Sequence, residues 1–123
     1  AVNLMSLFGL HRRYRAAAVG HFASTEITSP PGSRRLVDAL QRLGAPQECV
    51  AFYAEHVEAD AAHEQIAIRQ MCTAVAAADP AGTEKVLYGF LSGLYLEGRV
   101  AQAAVGAWRD SRSALLQPAV GAA

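Results

Sequence analysis

The sequence predicts an all-α helical bundle, and three observations carry that prediction. Hydrophobic residues make up 52% of the 123 positions, and many of them are alanine, which loses no side-chain entropy in a helix. Apolar residues recur at steps of three and four along four segments, the helical period. Helix breakers gather between those segments: "TSPPGS", Gly44, Asp79-Pro80 and Gln117-Pro118. A chain of this length supports one domain with a modest core. No linker, repeat or low-complexity tract divides it, so residues 1–123 read as a single helical domain.

The first helix is expected from about Leu4 to Thr25, with Leu4, Leu7, Phe8, Tyr14, Ala18 and Phe22 on its apolar stripe. Two prolines and a glycine in "TSPPGS" should end it. A short second helix follows from about Arg34 to Leu43. Ser33 suits its N-cap, and Gly44 suits the left-handed stop. The third helix is long. Pro46 fits a first-turn position, and nothing interrupts the pattern before Asp79-Pro80. The fourth runs from about Thr83 to Leu116. Gly89, Gly93, Gly98 and Gly106 fall inside it, each costing a helix up to about 1 kcal/mol relative to alanine. Their presence implies close helix contacts, a kink, or a ligand near the backbone.

Bulk properties exclude several function classes. Eleven basic and eleven acidic side chains balance to a formal charge of +0, so no net field draws nucleic acid. The cluster His11, Arg12, Arg13, Arg15 reads as one basic helix face. No apolar run is long enough to span a membrane. The apolar start "AVNLMSLFGL" lacks the basic segment and cleavage site of a leader. It also lacks an initiator Met, so the chain reads as processed or cut from something longer. Cys49 and Cys72 sit on one predicted helix, more than roughly 30 Å apart at the helical rise, which excludes a disulfide between them. Reduced, buried thiols in a cytoplasmic protein are the simple expectation. Neither thiol has a basic partner that would make it a nucleophile, and no phosphate loop or dinucleotide fingerprint is present.

The chemistry-bearing stretch is "EHVEADAAHEQ", which spaces His56, Asp60 and His63 by four and then three. On a helix the three fall within an arc of about 60° and span about 10 Å along the axis. Asp60 and His63 can reach one ion, while His56 stands a turn away. That arrangement suits two neighbouring ions, or one ion with an outer ligand. The competing reading is a solvated stripe that happens to carry imidazoles. Phe52, Tyr53, Val57 and Ile66 beside the motif argue against full exposure. Carboxylate and imidazole without thiolate favour iron or manganese over structural zinc. Glu55, Glu58 and Glu64 point to other sides.

One helix cannot close such a site. The best partner is Glu26, the only acidic residue in the first 37 positions. A lone Glu at a helix C-terminus opposes the dipole, so either it has left the helix for solvent or a cation compensates it. His21 reads as a packed or supporting histidine, and His11 as a surface one. Glu97, alone in the middle of the fourth helix, reads as exposed more readily than as a ligand.

A lone helical Glu followed some thirty residues later by His-x3-Asp-x2-His resembles the haem-oxygenase-like di-iron oxidases and oxygenases, an iron-containing redox family. The stretches "GHFASTE", "SPPGSRRLVDALQRLGAP" and "FYAEHVEADAAHEQ" carry the resemblance, with "GLYLEGRVAQAAVGAW" a looser match. The resemblance implies an all-α bundle whose metal site holds two irons, activates dioxygen and oxidises a small organic substrate; the donor set itself leaves manganese as an alternative metal. It makes Glu26 a ligand from one core helix and His56, Asp60 and His63 ligands from the next. The family draws further ligands, a Glu and a His, from an earlier helix, and no such pair precedes Glu26 here. The chain therefore reads as the C-terminal portion of a longer enzyme or as a shortened relative, its set completed upstream or across a homodimer. The alternatives are a non-catalytic, self-associating helical module that lacks one ligand helix, and a metal-free enzyme of the same fold. Glu26 together with Asp60 argues against the last.

Overall fold

The computed structural model describes residues 2–115. Among them every regular element is helical. Helix α1 covers Val2–Leu10, α2 Arg15–Arg42, α3 Gln47–Ile66, α4 Thr73–Ala78 and α5 Gly82–Arg109. A 3₁₀ turn at Arg12–Tyr14 precedes α2, and a π-helical turn at Ala67–Cys72 joins α3 to α4. The all-α bundle is thus present, with α2 as its central rod. Helices α3 and α5 pack along α2, and α1 folds back on it.

Three boundaries differ from the pattern reading. The expected first helix is broken at His11, whose backbone is extended at φ −115, ψ 110. No proline marks that break, and the nearest glycine, Gly9, lies inside α1. It turns α1 antiparallel to α2, which lets Phe8 bury its ring at 2% exposure beside Tyr14, His21 and Tyr88. Burying an aromatic side chain stabilises by about 2 kcal/mol, enough to override a weak local helical preference.

The second difference is larger. "TSPPGS" does not end a helix; Pro30 and Pro31 lie inside α2. The two separate helices expected there are one rod of 28 residues. Each proline removes an N–H and crowds the carbonyl four residues back, which here falls on Glu26 and Ile27. Packing of this stretch against α3 outweighs that loss. Ser33 is consequently a buried interior residue at 7% exposure and not an N-cap.

Third, α5 stops at Arg109, short of Leu116. Ser111 takes a left-handed φ of 55, and Arg112 N–H donates to the Ala107 carbonyl at 2.8 Å while Ser111 N–H donates to Trp108 at 3.0 Å. That pair of bonds closes a helix C-terminus. The expected stop at Leu116 and Gln117-Pro118 lies outside the described residues.

Other expectations hold. Gly44 ends α2 at φ 65, with Ala45 N–H donating to Leu40 at 3.0 Å. The long third helix persists to Ala78 with one widened turn in it. Gly89 is a contact glycine: a Cβ there would drive into the Ala17 backbone, as one at Gly20 would into Val86. The α2–α5 crossing is therefore backbone against backbone. Gly98 and Gly106 meet nothing, and no structural need for them is evident. Cys72 is half-buried and Cys49 exposed, both free, so only the first approaches the buried thiol expected.

Candidate metal centre

The α2–α3 interface positions the chemistry. Glu26 projects from α2, and Asp60 and His63 project from successive turns of α3. Continuity of α2 through the prolines holds Glu26 within a helix, so its side chain stays against α3. Donor atoms of Glu26, Asp60 and His63 all lie within 4.8 Å of one another. His63 Nδ1 stands 3.3 Å from Glu26 Oε2 and 3.2 Å from Asp60 Oδ1.

Burial makes the arrangement costly unless a cation is added. The side chains of Glu26 and Asp60 are 13% and 12% exposed. Among the described residues no Lys or Arg pairs with either, and Glu26 Oε2 has no hydrogen-bond partner. Two nearly buried carboxylates side by side, sharing a single imidazole, repel each other and resist desolvation. His63, whose side chain is 52% exposed, is the only basic group at hand. A divalent cation among these three donors relieves the repulsion, and two oxygens with one imidazole nitrogen suit iron or manganese. The residues present therefore fit such an ion.

Ser29 is a contributor that sequence reading missed. Its hydroxyl makes a very short hydrogen bond to Asp60 Oδ2. This leaves Oδ1 as the oxygen facing His63. The signal was present as Glu26-x2-Ser29, one helical turn, but reading "TSPP" as a loop concealed it.

His56 lies outside the group of three. Its Nδ1 is 2.7 Å from the Phe52 carbonyl, and its ring sits 4.4 Å from that of Phe52. With a carbonyl as partner, Nδ1 is the donor, which leaves Nε2 as the nitrogen turned away from the backbone. A backbone acceptor on one ring nitrogen is how metal-binding imidazoles are commonly oriented.

His21 is buried at 7% exposure, as a packed histidine should be. Burial pushes its pKa down, with Glu97 opposing, so the ring is neutral. It fits beneath Phe8 because Gly93 has no Cβ, which would come within 2.6 Å of His21 Nδ1. His11 and Glu97 are exposed, as expected. The π-helical turn begins four residues after His63 and packs Ala67, fully buried, toward α2. Widened turns of this kind recur at functional sites.

Comparison with known proteins gives one match. The model of a family described as iron-containing redox enzymes matches residues 1–98, a span that includes Glu26, His56, Asp60 and His63. No curated protein and no solved structure matches the chain.

Proposed function

The chain belongs to the iron-containing redox enzyme family, and from that premise we propose that Glu26, Asp60 and His63 hold ferrous iron for the dioxygen-dependent oxidation of a small organic substrate. The observation that carries the proposal is the meeting of two largely buried carboxylates and one imidazole at the contact of two helices, with no Lys or Arg paired to either carboxylate among the described residues. What the metal supplies when bound is electron transfer to dioxygen.

The chain's own residues set up that chemistry. Glu26 and Asp60 offset the charge of the cation. Ser29 donates to Asp60 Oδ2 and so fixes which carboxylate oxygen faces the group. His63 adds a nitrogen donor on the exposed side, where dioxygen can approach. Three donors leave coordination positions open. His56, one turn earlier with Nε2 free, is the donor for a second ion, in keeping with a two-iron site. Manganese fits the same donors. Free Cys49 and Cys72 accord with a cytoplasmic location, which is part of the proposal; no helix among the described residues is long and apolar enough to cross a membrane.

Reconstitution with ferrous iron under argon, followed by air, tests this reading. Bound iron and new near-ultraviolet absorption on aeration are expected, both absent from Asp60→Ala. Failure of the unmodified chain to bind iron would contradict it.

A second reading, a self-associating helical module, is favoured by the outer side of α5. Leu87, Tyr88, Leu91 and Tyr95 are 52–62% exposed there. A second copy covering that face gives a homodimer. Light scattering with and without iron separates the two: a metal-independent dimer without iron binding favours the module.

A further inference from the structure

The break at His11 does more than bury Phe8. By turning α1 back along α2 it forms a cavity of about 330 Å³ between them. Met5, Phe8 and Gly9 wall it from α1, and His21, Phe22 and Glu26 from α2. Phe8 is buried, whereas Met5 and Phe22 are 56% and 42% exposed, so the cavity reaches solvent on their side.

Its size, charge and position limit what it can hold. An apolar cavity on the order of 150 Å³ accepts benzene, so this one admits an apolar molecule about twice as large. It falls at the small end of the range for ligand pockets. No Lys or Arg lines it, and buried His21 is neutral. An anionic ligand would find no Lys or Arg in the wall to pair with. A cationic ligand would compete for the carboxylate that the metal group needs. Glu26 belongs both to the cavity wall and to the three-donor group, so a ligand seated against it adjoins the candidate metal centre.

We propose that this cavity is the substrate site and takes a compact, uncharged, largely apolar molecule held between Phe8 and Phe22 with one end against Glu26. The assignment rests on the iron-dependent reading above.

Met5 lines the cavity and Met71, the only other methionine, does not. Methyl-labelled methionine therefore gives a probe and an internal control in one NMR spectrum. The full chain is titrated with 2-naphthol, and separately with 2-naphthoate, the same skeleton with a charge. The expected result is a saturable shift of the Met5 methyl by 2-naphthol with Met71 unmoved, and at least tenfold weaker binding of 2-naphthoate. Gly9→Phe fills open space, since a Cβ at Gly9 meets nothing within 4 Å, and should abolish the shift while leaving helicity and iron binding unchanged. Thr25→Phe, on the opposite wall, should do the same if Gly9→Phe fails to fold. An unmoved Met5, equal binding of the anion, or full binding by the filled variants overturns the proposal. Iron is titrated in parallel. Iron binding without a Met5 shift removes the cavity and leaves the metal reading standing. A Met5 shift without iron binding removes the metal reading, and the substrate assignment with it.

Discussion

Glu26 and Asp60 are a liability to the metal-free fold. Two carboxylates at 13% and 12% side-chain exposure, with one imidazole and the Ser29 hydroxyl beside them, cost stability that a cation would recover. Glu26→Gln keeps the shape and removes one charge. It should therefore stabilise the metal-free protein, on the order of 1 kcal/mol, while eliminating iron binding. Urea unfolding with and without ferrous iron measures both effects, and a destabilised metal-free variant would contradict the account. Ser29→Ala leaves Asp60 Oδ2 without its donor. Iron affinity should fall about 10- to 100-fold, the usual cost of losing a group that orients a ligand, with circular dichroism unchanged. Glu26, Asp60 and His63 were legible from spacing and from the isolation of Glu26 in a basic and apolar stretch. His56 was legible as a motif member, but its side-chain direction was not, because helical spacing places a Cβ and leaves χ1 open. Ser29 was illegible because the prolines beside it dominate any local reading.

Among the elements, α2 matters most, since it carries Glu26 and contacts every long helix. Its crossing with α5 depends on Gly20 and Gly89, where added methyls would meet backbone that cannot move aside. Gly89→Ala should destabilise by more than the 1–3 kcal/mol typical of overpacking, although alanine is the better helix former. Gly98→Ala, with open space around it, should be neutral or stabilising, so thermal unfolding of the two variants separates packing from propensity. Helix α5 begins under a different control. Asp79 accepts from Ala81 N–H at 3.0 Å and from Lys85 at 2.6 Å, and the Lys85 bond, aided by the Ala81 N–H, holds its carboxyl below the usual range. A lowered folded-state pKa means that the contribution is present above the ordinary carboxyl value of about 4 and is lost as pH falls through the lower one. The melting temperature should drop less steeply below pH 4 in Asp79→Asn than in the unmodified chain, and the effect should be small because the pair is exposed. Gly44 and the length of the third helix were readable because a Gly stop and an uninterrupted apolar period are strong local signals. The break at His11 and the helical Pro30-Pro31 were not, because tertiary packing of Phe8 and of α2 on α3 decides them.

For the molecule as a whole, the hydrophobic core is small. Among the described residues the buried apolar ones are Phe8, Val50 and four alanines. A metal ion joining α2 to α3 would therefore add a large share of the stability. At a free iron concentration about 100 times the dissociation constant the gain is about 2.7 kcal/mol. Ferrous iron should raise the melting temperature of the unmodified chain by several degrees and leave that of Asp60→Ala unchanged. The bundle class was readable from composition and period alone, whereas the open outer face of α5 was not, since a helical stripe in sequence does not say which side another element covers.

The account depends on a cation joining two helices, and anomalous diffraction at the iron edge from iron-loaded crystals tests that most directly. A peak about 2.0–2.2 Å from carboxylate oxygens of Glu26 and Asp60 and from a nitrogen of His63, the range of metal–oxygen and metal–nitrogen bonds, is the predicted result. Iron found only at exposed histidines such as His11, with the α2–α3 carboxylates unliganded, would contradict it.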